Sequence, residues 1–177
     1  MEEYIRDYTM AAAILGLFSF VWFGWAQERP RKSWRVYLGI GSALGIIVSA
    51  AGIYLSITHW NNASILHEQS NFTYYIIFVA IEFTVAAVVS AVLLIKKHSD
   101  YVAPWIAFVV GVHFFPLSFV FNDFTYNILG GLITVVSLIS LPLSKRLDVA
   151  NSAVTGIGTG ISLFLFALFN LIRALMI

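Results

Sequence analysis

The chain contains no cysteine. That excludes a disulfide framework, a thiolate nucleophile and a thiolate metal site, and it leaves the redox compartment undetermined. Charge is almost as scarce, at 11% of 177 residues with a formal net charge of +1. The basic residues fall in short clusters between apolar runs, so there is no electrostatic case for nucleic acid as a partner. No phosphate-binding glycine loop, zinc-protease helix, retinal-type lysine or potassium-filter sequence occurs, and no cofactor is expected. A metal would have to draw on Glu82, His113 and Asp123 without any closely spaced histidine motif, which makes that reading weak, and none is expected.

What remains is apolar. Hydrophobic residues make up 60% of the chain, and mean hydropathy is +0.88. The helices of a soluble bundle keep a charged face, and these segments have none, so lipid rather than water is the expected solvent. Six runs stand out, at 8–26, 34–57, 72–95, 102–121, 124–143 and 149–176. Each reaches the roughly 20 helical residues that cover a hydrocarbon core of about 30 Å. The expected fold is therefore all-α, a single transmembrane domain over 1–177 with six spans and no separate soluble unit. Gly24-Trp25-Ala26 has the form of a signal-peptide cleavage site, but the leading residues are acidic and the first run is long enough to span, so retention is expected.

Eight of the ten Lys and Arg residues lie in three alternate loops, as Arg29, Arg31, Lys32 and Arg35, then Lys96 and Lys97, then Lys145 and Arg146. The positive-inside rule makes those loops cytoplasmic and puts both termini outside. Aromatic residues cluster at span ends, as headgroup-level rings should: Trp22, Trp25, Trp34, Tyr37, Tyr101 and Trp105 at the inner ends, and Tyr8, Trp60, Tyr74, Tyr75 and Tyr126 at the outer. Asn62-Ala63-Ser64 and Asn71-Phe72-Thr73 match the glycosylation sequon on the outer side; the second abuts a span, and both are read as chance.

Small residues mark where helices meet. Ser42, Gly45, Ser49, Gly52 and Ser56 form one face of the second span; Ser152, Gly156 and Gly160 recur on the sixth, and Gly130-Gly131 with Thr134 and Ser137 on the fifth. In lipid such faces allow close approach and hydroxyl hydrogen bonds. They are expected to pack within the chain, with a homo-oligomer through the same Gly/Ser faces as the alternative. On the third span Ala80, Thr84, Ala87 and Ala91 occupy one side and Glu82 the other. Three crossings separate the two halves of the chain, which is the arithmetic of a 3+3 inverted repeat, and Gly16-Leu17-Phe18-Ser19-Phe20 loosely mirrors Gly111-Val112-His113-Phe114-Phe115.

Glu82 falls about 15 Å into the third span, near the midplane, where an ionised side chain costs roughly 2.5–3.5 kcal/mol on insertion scales. His113 reaches a similar depth on the fourth span, so the two can share a proton or form a fixed hydrogen bond that only specifies packing. Pro116 donates no backbone hydrogen bond and frees the carbonyl of Val112 beside the histidine. Asn122, Asp123 and Asn127 at the fourth-to-fifth hairpin, with Asn170 and Arg173 on the last span, are candidates for an outer mouth. Thr159, Phe166, Asn170 and Arg173 share one helical face leading to it. Arg173 either neutralises Asp123, binds an anionic group or snorkels at the chain end. His59, His67 and His98 read as solvated loop residues.

The segment His113-Phe114-Phe115-Pro116-Leu117 in a glycine-rich six-span chain resembles small bacterial membrane proteins grouped as domains of unknown function. The resemblance implies a bacterial cell-membrane location and a role for His113 and Pro116, and carries no activity or substrate. Three readings stand. The first is a small-solute or proton-linked carrier or channel built on Glu82 and His113, with a small-molecule ligand. The second is an intramembrane enzyme acting on a lipid, with His113 as base and Ser118 or Thr84 as the available hydroxyls. The third is a non-catalytic membrane partner or pH sensor.

Overall fold

The computed structural model describes residues 4–67 and 69–177. Among them are six long helices: α1 (Ile5–Trp25), α2 (Arg35–Thr58), α3 (Gln69–Ile95), α4 (Val102–Val120), α5 (Thr125–Leu147) and α6 (Asn151–Met176). All six are long and apolar enough to cross a membrane, and the described residues contain no strand. The protein is an all-α, polytopic, multi-pass membrane protein. Its outer surface supports this physically: Phe119 is 82% exposed, and Tyr37, Ile57 and Ile95 stand out beside it. Water would not tolerate so continuous an apolar girdle; acyl chains do.

Close helix contacts follow the small residues. Gly52 lies so near α1 that a Cβ there would sit 2.5 Å from the backbone nitrogen of Ala13. The Ser49 hydroxyl donates to the Ala13 carbonyl at 2.8 Å, and the Ser19 hydroxyl donates to the Gly160 carbonyl of α6 at 2.9 Å. The glycine and serine faces of α2 and α6 are thus taken up inside the chain, both against α1. A second crossing joins α4 to α5, where a Cβ on Gly111 would meet the Thr134 hydroxyl at 2.5 Å. The buried core between these pairs is filled by Leu15, Phe114, Leu117, Leu129, Ile133 and Leu163.

The packing runs α2 on α1, α1 on α6, α6 on α5, α5 on α4, and α4 on α3. Helix α3 is the outermost, with none of its most apolar stretch buried. Its small-residue side, with Ala80, Thr84, Ala87 and Ala91, faces away from the bundle. The inverted repeat is not confirmed. The crossing of α1 with α2 at Gly16 and Gly45 does resemble that of α4 with α5 at Gly111 and Gly130, but α6 packs on several helices whereas its counterpart α3 leans on α4.

Helix α5 extends beyond the apolar run read from sequence, passing through Pro142 to Leu147. Proline removes one hydrogen bond near the helix end, and the last turn then carries Lys145 and Arg146. The hairpin between α4 and α5 turns on Asn122, at a φ of 47°, a left-handed conformation that asparagine tolerates. Arg29, Lys97 and Asp148 take the same conformation at the opposite end. The start of α1 and the end of α6 lie on the Asn122 side, since Arg173 meets Tyr8 there.

Candidate functional site

Glu82 sits at the centre of α3, and its side chain points across the seam to α4. There the carboxylate Oε2 lies 3.3 Å from His113 Nε2. The two side chains are 16% and 9% exposed. Phe78, one turn before Glu82 on the same helix, lines the cleft beside the imidazole. The contact between the two side chains joins the outermost helix to the rest of the bundle.

Such a pair has simple proton chemistry. Moving a proton between carboxyl and imidazole leaves it neutral overall, either as acid and neutral ring or as carboxylate and imidazolium. Adding or removing a proton leaves a net charge, which costs roughly 2.5–3.5 kcal/mol at mid-membrane unless water or a counter-charge reaches it. The pair lines a lateral cleft of about 260 Å³ between α3 and α4, together with Phe78, Val85, Trp105 and Pro116. Pro116 is thus beside the pair, within an α4 that continues past it. Trp105 was expected only as a headgroup-level ring; its indole Nε1 is buried without a hydrogen-bond partner in the wall of this cleft.

A second polar region lies at the end where α1 begins and α6 stops. Asp123 Oδ1 accepts from the Thr125 amide at 2.9 Å and the Thr125 hydroxyl at 2.7 Å, while Asp123 Oδ2 accepts from Arg173 Nη1 at 2.6 Å. Burial raises the Asp123 carboxyl, but the Thr125 donors and the Arg173 guanidinium outweigh it and hold it below its ordinary value. Arg173 also donates to the Tyr8 hydroxyl, and its guanidinium lies 4.0 Å over the Tyr8 ring. It is paired, not merely snorkelling.

These groups line a vestibule of about 660 Å³ with Asn122, Tyr126 and Asp7. Asp7 was missed by the sequence reading. Its carboxylate accepts from the Ser64 hydroxyl at 2.5 Å and from the Ile65 amide at 2.8 Å, pinning the α2–α3 loop. The signal for it was the crossing count, which puts the first turn of α1 level with Asp123 and Arg173. Below the vestibule a crevice of about 90 Å³ is bounded by Asp7, Tyr75, Phe114 and Tyr126. Tyr75 in turn lies within electrostatic range of Glu82.

Other expected site residues lie elsewhere. Asn170 is 2% exposed, and its Nδ2 donates back to the Phe166 carbonyl at 2.8 Å. Thr159 is fully buried. The α6 face expected to lead to the mouth is therefore packed into the core, because the small residues that share it draw α1 close. Asn127 is half-buried and does not line the vestibule. Glu82, His113 and Asp123 do not converge, and among the described residues no three His, Asp or Glu side chains gather at metal-binding distances. Ser118 and Thr84, the candidate hydroxyls, donate within their own helices, to Phe115 at 2.9 Å and Ala80 at 2.7 Å.

Comparison of the chain with known protein families, curated proteins and solved structures finds no match. The functional reading therefore rests on geometry.

Proposed function

We propose that the protein is a proton-linked carrier or channel for a small solute, in which Glu82 and His113 bind and release the proton. The observation that carries this reading is the 3.3 Å contact between the two side chains at the middle of their helices. Three further features support it. The polar vestibule stands at one end of the bundle as an entrance. The crevice beneath it has room for a few waters and reaches Tyr75, about two turns before Glu82 on the same helix. Helix α3 is attached along one seam, so a change in the charge of the pair acts on the least restrained element. The proposal keeps the bacterial cell-membrane location implied by the His-Phe-Phe-Pro-Leu resemblance, with the vestibule outward as the basic loops suggest.

Reconstituted into liposomes, the wild type should acidify the lumen down an imposed proton gradient. Glu82→Gln and His113→Ala should each slow that flux about tenfold or more, since each variant removes one of the two groups that take up and release the proton. Flux unchanged in both variants would sink the reading. A pH-sensing membrane partner is the second reading, favoured by the cleft opening sideways and by the bare outer side of α3. It expects no flux in the wild type and a pH-dependent copurifying protein instead.

A further inference from the structure

Far from the vestibule, at the end that carries the basic loops, lies a groove of about 450 Å³. Leu38 and Gly41 of α2 form one wall, Leu143 and Leu147 of α5 the other, and Ile157 and Ile161 of α6 lie between them. The groove follows α6 from Val154 to Ile161, seven residues or about 10 Å along the axis. That is about two-thirds of the depth of one leaflet in a core of roughly 30 Å.

Basic residues flank the walls of this groove in sequence without lining it. Residues 29–35 bring Arg31, Lys32 and Arg35 to one side, and the last turn of α5 brings Lys145 and Arg146 to the other. The fold holds the two clusters together: Arg31 Nη2 donates to the Leu147 carbonyl at 3.4 Å, and the Ala150 amide donates to the Arg29 carbonyl at 3.4 Å. Lys32, Arg35, Lys145 and Arg146 are exposed, and among the described residues none of them has a carboxylate within ion-pair distance. Trp34 and Tyr37 stand at the mouth, where amphipathic rings meet headgroups.

We infer that this groove is a binding site for an anionic phospholipid, one acyl chain lying between α2 and α5 and the phosphate held by the two basic clusters. Apolar length alone would take any lipid. The unpaired cations that flank the groove at this end favour a negative headgroup, each contributing through a membrane-surface interaction that weakens with salt. The site is independent of the Glu82–His113 centre and of the transport reading.

The test uses the full chain in detergent, offered equal amounts of phosphatidylglycerol and phosphatidylcholine with identical acyl chains, with retained lipid counted by native mass spectrometry. One phosphatidylglycerol per chain should survive washing, and phosphatidylcholine should not. Lys145→Gln with Arg146→Gln should weaken retention about 30-fold. Leu143→Trp with Ile161→Trp fills the groove from exposed positions and should abolish retention, while helical circular dichroism and lipid-free melting stay unchanged. Glycerol phosphate should not compete. Equal retention of the two lipids, retention surviving the groove-filling pair, or competition by glycerol phosphate would each overturn the assignment.

Discussion

Asp123 gathers three donors, the Thr125 amide, the Thr125 hydroxyl and the Arg173 guanidinium, at the junction of α4, α5 and α6. Because its folded-state value is depressed, its contribution to stability is complete above the unfolded carboxylate value, near 4, and is lost as pH falls through the lower folded one. Melting of the wild type in detergent should therefore decline below about pH 4. Asp123→Asn can still accept from Thr125 but loses the charge, so it should cost about 1.5–3 kcal/mol at pH 7 and flatten that acid-side decline. A variant whose melting profile overlays the wild type from pH 3 to 7 would mean the Arg173 contact contributes nothing.

Helices α1, α2 and α6 are joined by backbone approach, and α4 is joined to α5 in the same way. At Gly52 a methyl group would meet the α1 backbone at 2.5 Å, and at Gly111 it would meet Thr134 at 2.5 Å and its backbone nitrogen at 2.7 Å. Neither neighbour can swing aside as a flexible side-chain tip would. Gly52→Ala and Gly111→Ala should each destabilise by about 1–3 kcal/mol through overpacking. Gly24→Ala and Gly131→Ala have open space around the new methyl and should be neutral or slightly stabilising, since alanine is the better helix former. Thermal unfolding of the four variants side by side checks this, and equal melting across the set would show that the crossings are looser than drawn. Helix α3 has no such crossing among the described residues, so the helix bearing Glu82 is held mainly by side chains of α4 and by the loop before it.

The bundle has a basic end and a vestibule end, and the charge bias expects the basic end to face the cytoplasm. Ser64 is a poor labelling probe because its hydroxyl is buried against Asp7, whereas Asn62 is exposed in the same loop and Ser99 is exposed at the other end. In intact cells, a membrane-impermeant thiol reagent should label Asn62→Cys and leave Ser99→Cys untouched. The reverse pattern would invert the proposed direction of entry through the vestibule.

Six spans, the depth of Glu82 and His113, and the small-residue faces could all be read along the chain, because hydropathy and helical periodicity are local and additive. The rotation that turns Glu82 toward His113 could not. Nor could the meeting of Asp7, Tyr8, Asp123 and Arg173 from three separate parts of the chain, or the burial of Asn170 and Thr159 against the core. Lipid is as apolar as a leucine side chain, so it does not sort one apolar helix face from another. Which faces meet is settled by shape at glycine contacts and by a few polar pairs, and both depend on residues far apart in sequence.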